Sequence, residues 1–446
     1  MNDREGSQVS SPDDPVSPSY GFPARLWRGI DEHRPPGLDP TSWRSPLRGP
    51  WLTSVFAVVL LVTLPIVTIT GLLSYVAYGT QARPEDVGWL HLPLFDWPTD
   101  PSWLFRLNQG LHVILGLVLI PIVLAKLWSV VPRLFTWPPA RSVAQVLERL
   151  SLLMLVGGIL FEIVTGVLNM QYDYVFGFSF YTAHYYGAWV FIAGFVAHVI
   201  LKLPRMLASL RSRSFRSVLR TRLANTHPEP RDADGLVAVE PASPTVSRRG
   251  ALALVGGGSL MVFALTAGQT IGGLTRPFAV LLPRGRDNGD GPNDFPINRT
   301  ADAAGIDPDA TGQEWRLTLS GGLEDVELDR ASLLALPQHT AILPIACVEG
   351  WSTTQTWTGV RLRDLAGLAG VEAPGGADVT SLEQSGAFKE SALNTGQVTD
   401  SDALLALRVN DTDLSLDHGF PARIIVPAMP GVLNTKWVTA ISFRSA

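Results

Sequence analysis

Five long apolar runs do most to limit what this chain can fold into. A helix needs ~20 apolar residues to cross a bilayer, and inside the membrane it satisfies its own backbone hydrogen bonds. Only 17% of the residues are charged, whereas a soluble globular protein carries about 25%. The runs therefore predict transmembrane helices over 51–78, 104–131, 150–170, 181–203 and 250–273.

The distribution of lysine and arginine predicts how these helices are oriented. Arginines are frequent before the first helix, after the second and after the fourth, whereas the loop after the first contains only Arg83 and the loop after the third contains none. Cytoplasmic flanks are the positive ones. We therefore expect the N-terminus inside the cell and the C-terminal region outside.

These features divide the chain into five parts. Residues 295–446 contain no further apolar run that is long enough to span a membrane. The net charge of −5 argues against nucleic-acid binding, which usually needs a basic domain. We expect a disordered cytoplasmic N-terminus, a four-helix membrane domain, a cytoplasmic linker, a fifth tethering helix and an extracytoplasmic domain over 1–50, 51–205, 206–247, 248–273 and 274–446, respectively.

Arg248 and Arg249 stand directly before the fifth run. A serine precedes the pair, Leu252 follows it, and the run itself is rich in glycine and alanine. This pattern is typical of a twin-arginine export signal, which would place the chain in a bacterial cytoplasmic membrane with the twin-arginine machinery as a partner. The alternative is that the two arginines only add to the positive charge expected on the inner side.

Three of the eight histidines, His112, His184 and His198, lie inside apolar runs. Ionisable groups in a membrane are costly and usually functional, and haem iron in a helix bundle takes histidine ligands from facing helices. His184 and His198 are 14 residues apart, so they share one helix face at a separation of ~21 Å. At equal depth in the membrane, His112 pairs with His184 near the outer face, and Lys126 lies opposite His198.

This pattern over residues 50–205 resembles the bacterial b-type cytochrome membrane subunits that serve respiratory oxidoreductases. The resemblance implies haem b and electron exchange with quinone or quinol in the lipid bilayer. Lys126 stands where a two-haem protein would have a histidine. We therefore expect one outer haem b between His112 and His184. A second haem at His198 and a bundle that is only a haem-free anchor stay open as alternatives.

The single cysteine, Cys347, lies between an apolar stretch and a polar loop that contains Glu349 and Gly350. One cysteine excludes intramolecular disulfides, four-cysteine zinc sites and iron–sulfur clusters. A lone cysteine is most often a small buried hydrophobe. A strand end followed by a tight loop instead presents the thiol, and thiolate is a soft ligand suited to a heavy redox metal.

Residues 347–352 (Cys-Val-Glu-Gly-Trp-Ser), a Trp-x-Gly-Val segment at 357–360 and the stretches 294–300, 418–427 and 434–438 resemble the molybdenum-cofactor domain of the sulfite oxidase family. That family includes periplasmic methionine sulfoxide reductase catalytic subunits. The resemblance implies an α+β molybdopterin-binding domain in which Cys347 ligates molybdenum. It places Asn298 and Arg299 along the cofactor. It assigns Arg423 and Lys436 to the pterin phosphate or ring, because their basic groups suit an anionic phosphate.

The roles of nearby residues are less determined. His418 and His339 are assigned either to the site or to turns and surface. Glu349 is expected to orient the loop rather than to transfer protons.

These observations predict a fused membrane enzyme. It would combine an all-α transmembrane bundle with an α+β molybdopterin domain outside the membrane and carry out two-electron chemistry, oxygen-atom transfer, on a small substrate. Electrons would pass between that site and the quinone pool through haem b. Resemblance to the sulfoxide reductases favours reduction of an S- or N-oxide, and oxidation of a small molecule is the other direction. The alternative from a different class is a metal-free, membrane-anchored binding or assembly module.

Overall fold

The structure is a computed structural model. It describes residues 43–79, 95–134, 143–170, 179–232, 235–281, 288–386 and 389–446. Most of the predicted disordered N-terminus, 1–50, lies outside the described residues.

Five helical segments are long and apolar enough to cross a membrane, as the sequence predicts. The fourth continues to Arg211, past the predicted end at 203, because its last turns carry basic residues that an apolar criterion does not detect. The helices of this half are α1 (Pro50–Tyr78), α2 (Leu104–Val118), α3 (Ile120–Leu134), α4 (Val143–Asn169), α5 (Phe180–Arg211), α6 (Phe215–Arg220), α7 (Arg248–Ala264) and α8 (Gly268–Ile271).

Helices α2 and α3 form one span with a local irregularity at Leu119. Pro121 has no amide hydrogen and therefore cannot continue the hydrogen-bond ladder. The amide of Leu119 still bonds to Leu115, and the amide of Val123 bonds to Leu119, at 2.9 and 2.8 Å. The two pieces therefore act as a single 31-residue segment, Leu104–Leu134.

The bundle is built around α1, which packs against α2, α3 and α5, while α4 packs along α5. Leu64, Leu119, Val123 and Phe191 form a buried cluster at its centre. Helix α7 packs on the outside of α2 and α3. We call the end with Trp51 and Arg248 the inner end and the end with Tyr78 and Phe180 the outer end.

The region predicted as a linker, 206–247, packs against the inner end in its described part. Val218 of α6 joins Trp51 and Phe56 in a buried cluster. The buried Glu229 carboxylate accepts a hydrogen bond from the Trp51 amide at 2.9 Å and lies 3.6 Å from Arg248 Nε. This region folds as a cap because its few buried groups find partners far away in the chain.

The C-terminal domain is α+β, as predicted. Its helices are α9 (Arg330–Ala335), α10 (Leu362–Leu368) and α11 (Thr395–Thr399). Its strands are β1 (Leu317–Ser320), β2 (Val326–Leu328), β3 (His339–Ala346), β4 (Ser352–Arg361), β5 (Pro374–Ser381), β6 (Glu390–Asn394), β7 (Leu404–Val409), β8 (Thr412–Asp413), β9 (Arg423–Ile425) and β10 (Val438–Ser445).

These strands form two five-stranded sheets. One has the order β2-β1-β10-β5-β6, and the other has the order β3-β4-β7-β8 with β9 also paired to β7. A single buried cluster takes Leu317 and Ile441 from the first sheet and Leu405 and Ile424 from the second, so the sheets share one core. The turn between β3 and β4 carries Cys347 and faces the outer end of the bundle.

Candidate functional site

Cys347 lies in a tight turn between β3 and β4. The strands pair antiparallel up to Ala346 and Ser352. Two 3.0 Å bonds close the turn, from the Cys347 amide to the Trp351 carbonyl and from the Gly350 amide to the Cys347 carbonyl. Gly350 has φ 91°, a left-handed conformation that favours glycine. Glu349 accepts a hydrogen bond from Trp351 Nε1 at 2.8 Å and so orients the loop.

The thiol of Cys347 lies at a narrow cleft. Cys347 is only 2% exposed, and the cleft has a volume of about 10 Å³. The structure brings three of the residues predicted for the site to this cleft, namely Cys347, Asn298 and Arg423. The other residues that line it are Phe295, Pro296, Ile345, Trp351, His418 and Gly431.

Arg423 provides a buried positive charge at the cleft. Its Nη atoms donate to the carbonyls of His418 and Asn434 at 3.0 and 3.2 Å, and its buried Nε has no hydrogen-bond partner in the described chain. Burial lowers the pKa of Arg423 to about 9. No carboxylate among the described residues pairs with it. A buried guanidinium with an open donor suits an anion, so the cleft fits a cofactor with an anionic phosphate.

His418 belongs to the cleft, whereas His339 does not. The His418 ring stacks on Phe295 with centroids 3.6 Å apart, and its Nε2 lies 2.8 Å from the Asn293 carbonyl. Burial, followed by the nearby Arg423 charge, lowers the pKa of His418 to about 3, so its ring is neutral near pH 7. His339 begins β3, at the opposite end of that strand from Cys347, and contacts Asp402.

Arg299 and Lys436 lie beside each other, next to the cleft rather than among the residues that line it. Lys436 Nζ donates to the carbonyls of Arg299 and Asp417 at 2.5 and 3.0 Å. The Arg299 side chain pairs with Glu383. Burial, followed by the Arg423 charge, holds the pKa of Lys436 well below its usual range. Of the three predicted basic residues, Arg423 therefore lines the cleft, and Arg299 and Lys436 lie beside it.

An apolar cavity of about 160 Å³ lies at the outer end of the bundle. His112 of α2 and His184 of α5 line it with ring centroids 6.0 Å apart and planes at 88°. His112 Nδ1 lies 2.9 Å from the Val67 carbonyl, and His184 Nδ1 lies 3.0 Å from Thr165 Oγ1. Anchoring one ring nitrogen leaves the other for a metal, which is the usual arrangement of metal-bound histidines.

Two glycines make room for these rings. A Cβ at Gly71 would lie 2.7 Å from the His112 ring, and one at Gly166 would lie 3.2 Å from the His184 ring. Two opposed imidazoles from facing helices fit the axial ligation of a haem iron. The cavity therefore has the donor set that haem b needs.

The sequence analysis missed Glu162, which stands beside His184 in this cavity. Its Oε2 lies 3.1 Å from His184 Nδ1, and its buried Oε1 has no partner in the described chain. A carboxylate inside an apolar run was the available signal, since ionisable groups there are usually functional.

A second cavity, of about 220 Å³, lies nearer the inner end and has His198 and Lys126 on its walls. Lys126 Nζ donates to the Thr53 carbonyl at 2.9 Å. Spacing along the helices placed these two residues at the same level, and the structure puts them in one cavity. This level holds one histidine and one lysine where the outer level holds two histidines.

The Cys347 turn rests directly on the helix that carries His112. Gln109 Nε2 donates to the Val348 carbonyl at 2.8 Å, and Val348 also lines the outer cavity. Thr270 Oγ1 donates to the Gly350 carbonyl at 2.5 Å on the other side of the turn. Gln109 lies one helical turn before His112. Its role escaped the sequence analysis because its partner is 239 residues away.

Comparisons with known proteins concern the C-terminal domain. A family model described as "Oxidoreductase molybdopterin binding domain" matches residues 304–446. Mitochondrial sulfite oxidase of Drosophila melanogaster is 30% identical over 154 residues, 29% of this chain and 27% of that protein. Nitrate reductase [NADH] of Volvox carteri is 36% identical over 103 residues, 20% of this chain and 12% of that protein. This chain therefore spans about a quarter of the length of the first relative and about an eighth of the length of the second.

Two further matches differ in strength. The crystal structure of sulfane dehydrogenase SoxCD from Paracoccus pantotrophus matches with a TM-score of 0.28 and 23% identity, covering 30% of this chain and 39% of that one. "Uncharacterized oxidoreductase YuiH" of Bacillus subtilis is 30% identical over 151 residues, 33% of this chain and 73% of that protein. Through its C-terminal domain, this chain belongs to the sulfite oxidase family of molybdopterin-binding oxidoreductases.

Proposed function

We propose that this chain is a membrane-bound molybdopterin oxidoreductase that exchanges electrons with the quinone pool through haem b. The family of the C-terminal domain and five helices long and apolar enough to span a membrane support this proposal. The twin-arginine pattern at Arg248 and Arg249 favours a bacterial cytoplasmic membrane. The charge asymmetry of the loops favours a C-terminal domain outside that membrane.

The residues for each cofactor have separate places. Cys347 would hold molybdenum, and Asn298 and Arg423 would contact the pterin part of the cofactor at the cleft. Lys436 and Arg299 would extend the basic surface toward the pterin phosphate. When bound, the molybdenum cofactor supplies two-electron oxygen-atom transfer, and the chain supplies position and charge.

The haem b of this proposal belongs in the outer cavity. His112 and His184 would ligate its iron, and the haem would supply one-electron transfer. Their Nδ1 contacts hold both rings in orientation.

One observation carries the coupling of the two centres. The peptide that follows Cys347 is bonded to Gln109 and, through Val348, lines the cavity that contains His112 and His184. The cleft and the cavity are therefore separated by a short, bonded stretch of protein. Short gaps are what electron transfer between a molybdenum site and a haem requires.

The substrate we propose is a small molecule, as the resemblance to the sulfite oxidase family implies. Resemblance to the sulfoxide reductases favours reduction of an S- or N-oxide, with oxidation of a small molecule as the other direction. The metal-free anchor or assembly module has less support, because it leaves the buried Arg423 charge without an anion.

The test is elemental and optical analysis of the purified full chain. We expect molybdenum near one per chain and a reduced b-type spectrum. Cys347→Ser should lose catalytic turnover while it keeps the haem spectrum and membrane insertion, because the helices are untouched. Full turnover by Cys347→Ser with reduced viologen as donor would remove Cys347 as the metal ligand. Absence of molybdenum from the wild type would remove the proposal.

Export has its own test. Arg248 is buried and bonds to the carbonyls of His227 and Pro46 at 2.8 and 3.3 Å, so its substitution also disturbs the fold. Arg249 is exposed, and Arg249→Lys keeps the charge. If the pair is an export signal, Arg249→Lys should hold the C-terminal domain in the cytoplasm, protected from external protease. Normal external cleavage would leave only the topological role.

A further inference from the structure

The inner cavity is large and mostly apolar, yet two polar groups lie deep in it. Lys126 projects from α3 and His198 from α5. Lys126 is held in place by its bond to the Thr53 carbonyl at 2.9 Å, which leaves further ammonium protons to donate. Among the described residues, none forms a hydrogen bond to His198. The cavity therefore offers an anchored donor and an open imidazole to one occupant.

The rest of the wall suits a flat apolar ring. Phe191 and Phe195 lie on it with ring centroids 5.6 Å apart and planes at 27°. Leucines, valines and isoleucines make up most of the remaining wall, and no aspartate or glutamate is among the residues that line it. A neutral or partly anionic aromatic group with oxygen acceptors fits this surface better than a cation does.

A thin wall separates the inner cavity from the outer one. Four residues line both cavities, and all of them are apolar, namely Leu64, Val123, Ile159 and Phe191. An occupant of the inner cavity is therefore one layer of side chains from the cavity of His112 and His184. That distance suits a partner that gives electrons to the outer site or takes electrons from it.

The charges at the mouth of the cavity lie farther toward the inner end. Lys202 and Arg205 are one and two helical turns beyond His198 on α5, and Arg133 is two turns beyond Lys126 on α3. Glu148 partly offsets them, because it pairs with Arg133 and lies 3.8 Å from Lys202. A lipid phosphate would stay at this mouth. The occupant that reaches Lys126 and His198 needs an apolar body and a small polar head.

A second haem fits this level less well. An axial ligand needs a free lone pair, but a lysine ammonium has three donors and no lone pair, and one of the Lys126 donors is already held by the Thr53 carbonyl. The level then offers a haem one histidine instead of two.

We propose that the inner cavity binds the headgroup of a quinone or quinol. One oxygen of the headgroup accepts a hydrogen bond from Lys126, the other bonds to the His198 imidazole, and the ring lies against Phe191 and Phe195. This inference rests on the proposed function, since it assigns the place where the quinone pool meets the chain. It gives Lys126 a role in binding the headgroup, at the position where a two-haem protein would have a histidine ligand.

The experiment measures binding of decylubiquinone to the purified full chain in detergent by calorimetry. Lys126→Met and His198→Ala should each weaken binding about tenfold, because each removes one hydrogen bond to the headgroup. Lys126→Gln, which keeps an N–H donor, should lose less than Lys126→Met. Lys202→Met is the control at the mouth, and its affinity should stay within about threefold of the wild type.

The haem spectrum of each variant reports whether the bundle is folded, and every variant should keep a substantial part of it. Wild-type affinity in folded Lys126→Met and His198→Ala would overturn the assignment. So would a larger loss in Lys202→Met than in Lys126→Met, which would indicate an anionic lipid at the mouth. Two haems per wild-type chain, one of them lost in His198→Ala, would make the cavity a haem site.

The binding titration needs no molybdenum and no turnover. A wild type that lacks molybdenum but binds decylubiquinone through Lys126 would overturn the proposed function and keep this site.

Discussion

The outer and inner cavities are made by the same helices, yet their polar groups are held in different ways. At the outer level, His112 and His184 are each anchored through one ring nitrogen and face each other at 6.0 Å. At the inner level, Lys126 is anchored to a backbone carbonyl and faces a single histidine. The volumes, about 160 and 220 Å³, do not separate a haem site from another site. The side chains and their anchors do.

The largest effect that would break this comparison is loss of the proposed haem. His184→Ala or His112→Ala should remove most of the reduced b-type absorbance, because either change leaves one axial ligand. His198→Ala should keep a substantial part of that absorbance, since His198 lies in the other cavity. The measurement is the dithionite-reduced spectrum per mole of protein. Complete bleaching by His198→Ala with none by His184→Ala would reverse the roles of the two levels.

The second effect concerns the hydrogen bond between Gln109 and Val348, which connects the outer cavity to the Cys347 turn. Gln109→Leu removes the bond to the Val348 carbonyl and should slow reoxidation of reduced haem by S- or N-oxides about threefold to tenfold. Haem and molybdenum contents should stay unchanged, because Gln109 is not a ligand. Leu107→Ala, a change at a residue 47% exposed on the same helix, is the matched control. Equal reoxidation rates in Gln109→Leu and the wild type would show that this contact does not position the centres.

The third effect tests whether a second histidine is enough to turn the inner cavity into a haem site like the outer one. Lys126→His supplies the second imidazole opposite His198, so the haem content should rise from about one per chain toward about two. Pyridine haemochrome analysis of protein expressed with added haem precursor measures the ratio. A ratio that stays near one, in a variant that keeps the outer haem, would show that more than Lys126 separates the levels.

The fourth effect is acid sensitivity of the C-terminal domain. The pKa of His418 is about 3 in the fold, against 6.5 for a free imidazole. As pH falls below 6.5 the unfolded chain takes up the proton first, so the free energy of unfolding should fall by up to about 1.4 kcal/mol per pH unit until pH 3. Above pH 6.5 this contribution is fully present.

Hydrogen exchange at different pH values would locate this effect. Peptides from β4 and β7 should lose protection as the pH falls, and peptides from α1 and α3 around the inner cavity should keep it. His418→Gln should flatten the pH dependence of the C-terminal domain. An unchanged slope in that variant would assign the acid sensitivity to another group.

The sequence predicted the features that depend on length, composition and local spacing. The five apolar segments follow from the requirements of a bilayer. His198 follows His184 by 14 residues, and Lys126 follows His112 by the same number, which placed Lys126 and His198 at one depth and in one cavity. The turn at Cys347 follows from Gly350, whose φ of 91° few other residues adopt.

Features that depend on distant partners could not be predicted in the same way. Glu229 binds the amide of Trp51, 178 residues away, and turns an apparent linker into a cap. Arg299 and Lys436 bond to each other beside the cleft, and Phe295 stacks on His418. These contacts arise only once the chain is folded, because neither partner is unusual in its local sequence.

The bond between Gln109 and Val348 also bears on kinetics. Two separate proteins must find each other by diffusion before electrons pass, and each encounter depends on their concentrations. Here the two halves belong to one polypeptide and are already docked, so the encounter step is absent and the effective concentration is set by the chain. Under the proposed function, turnover per molecule should therefore be independent of the density of the protein in the membrane.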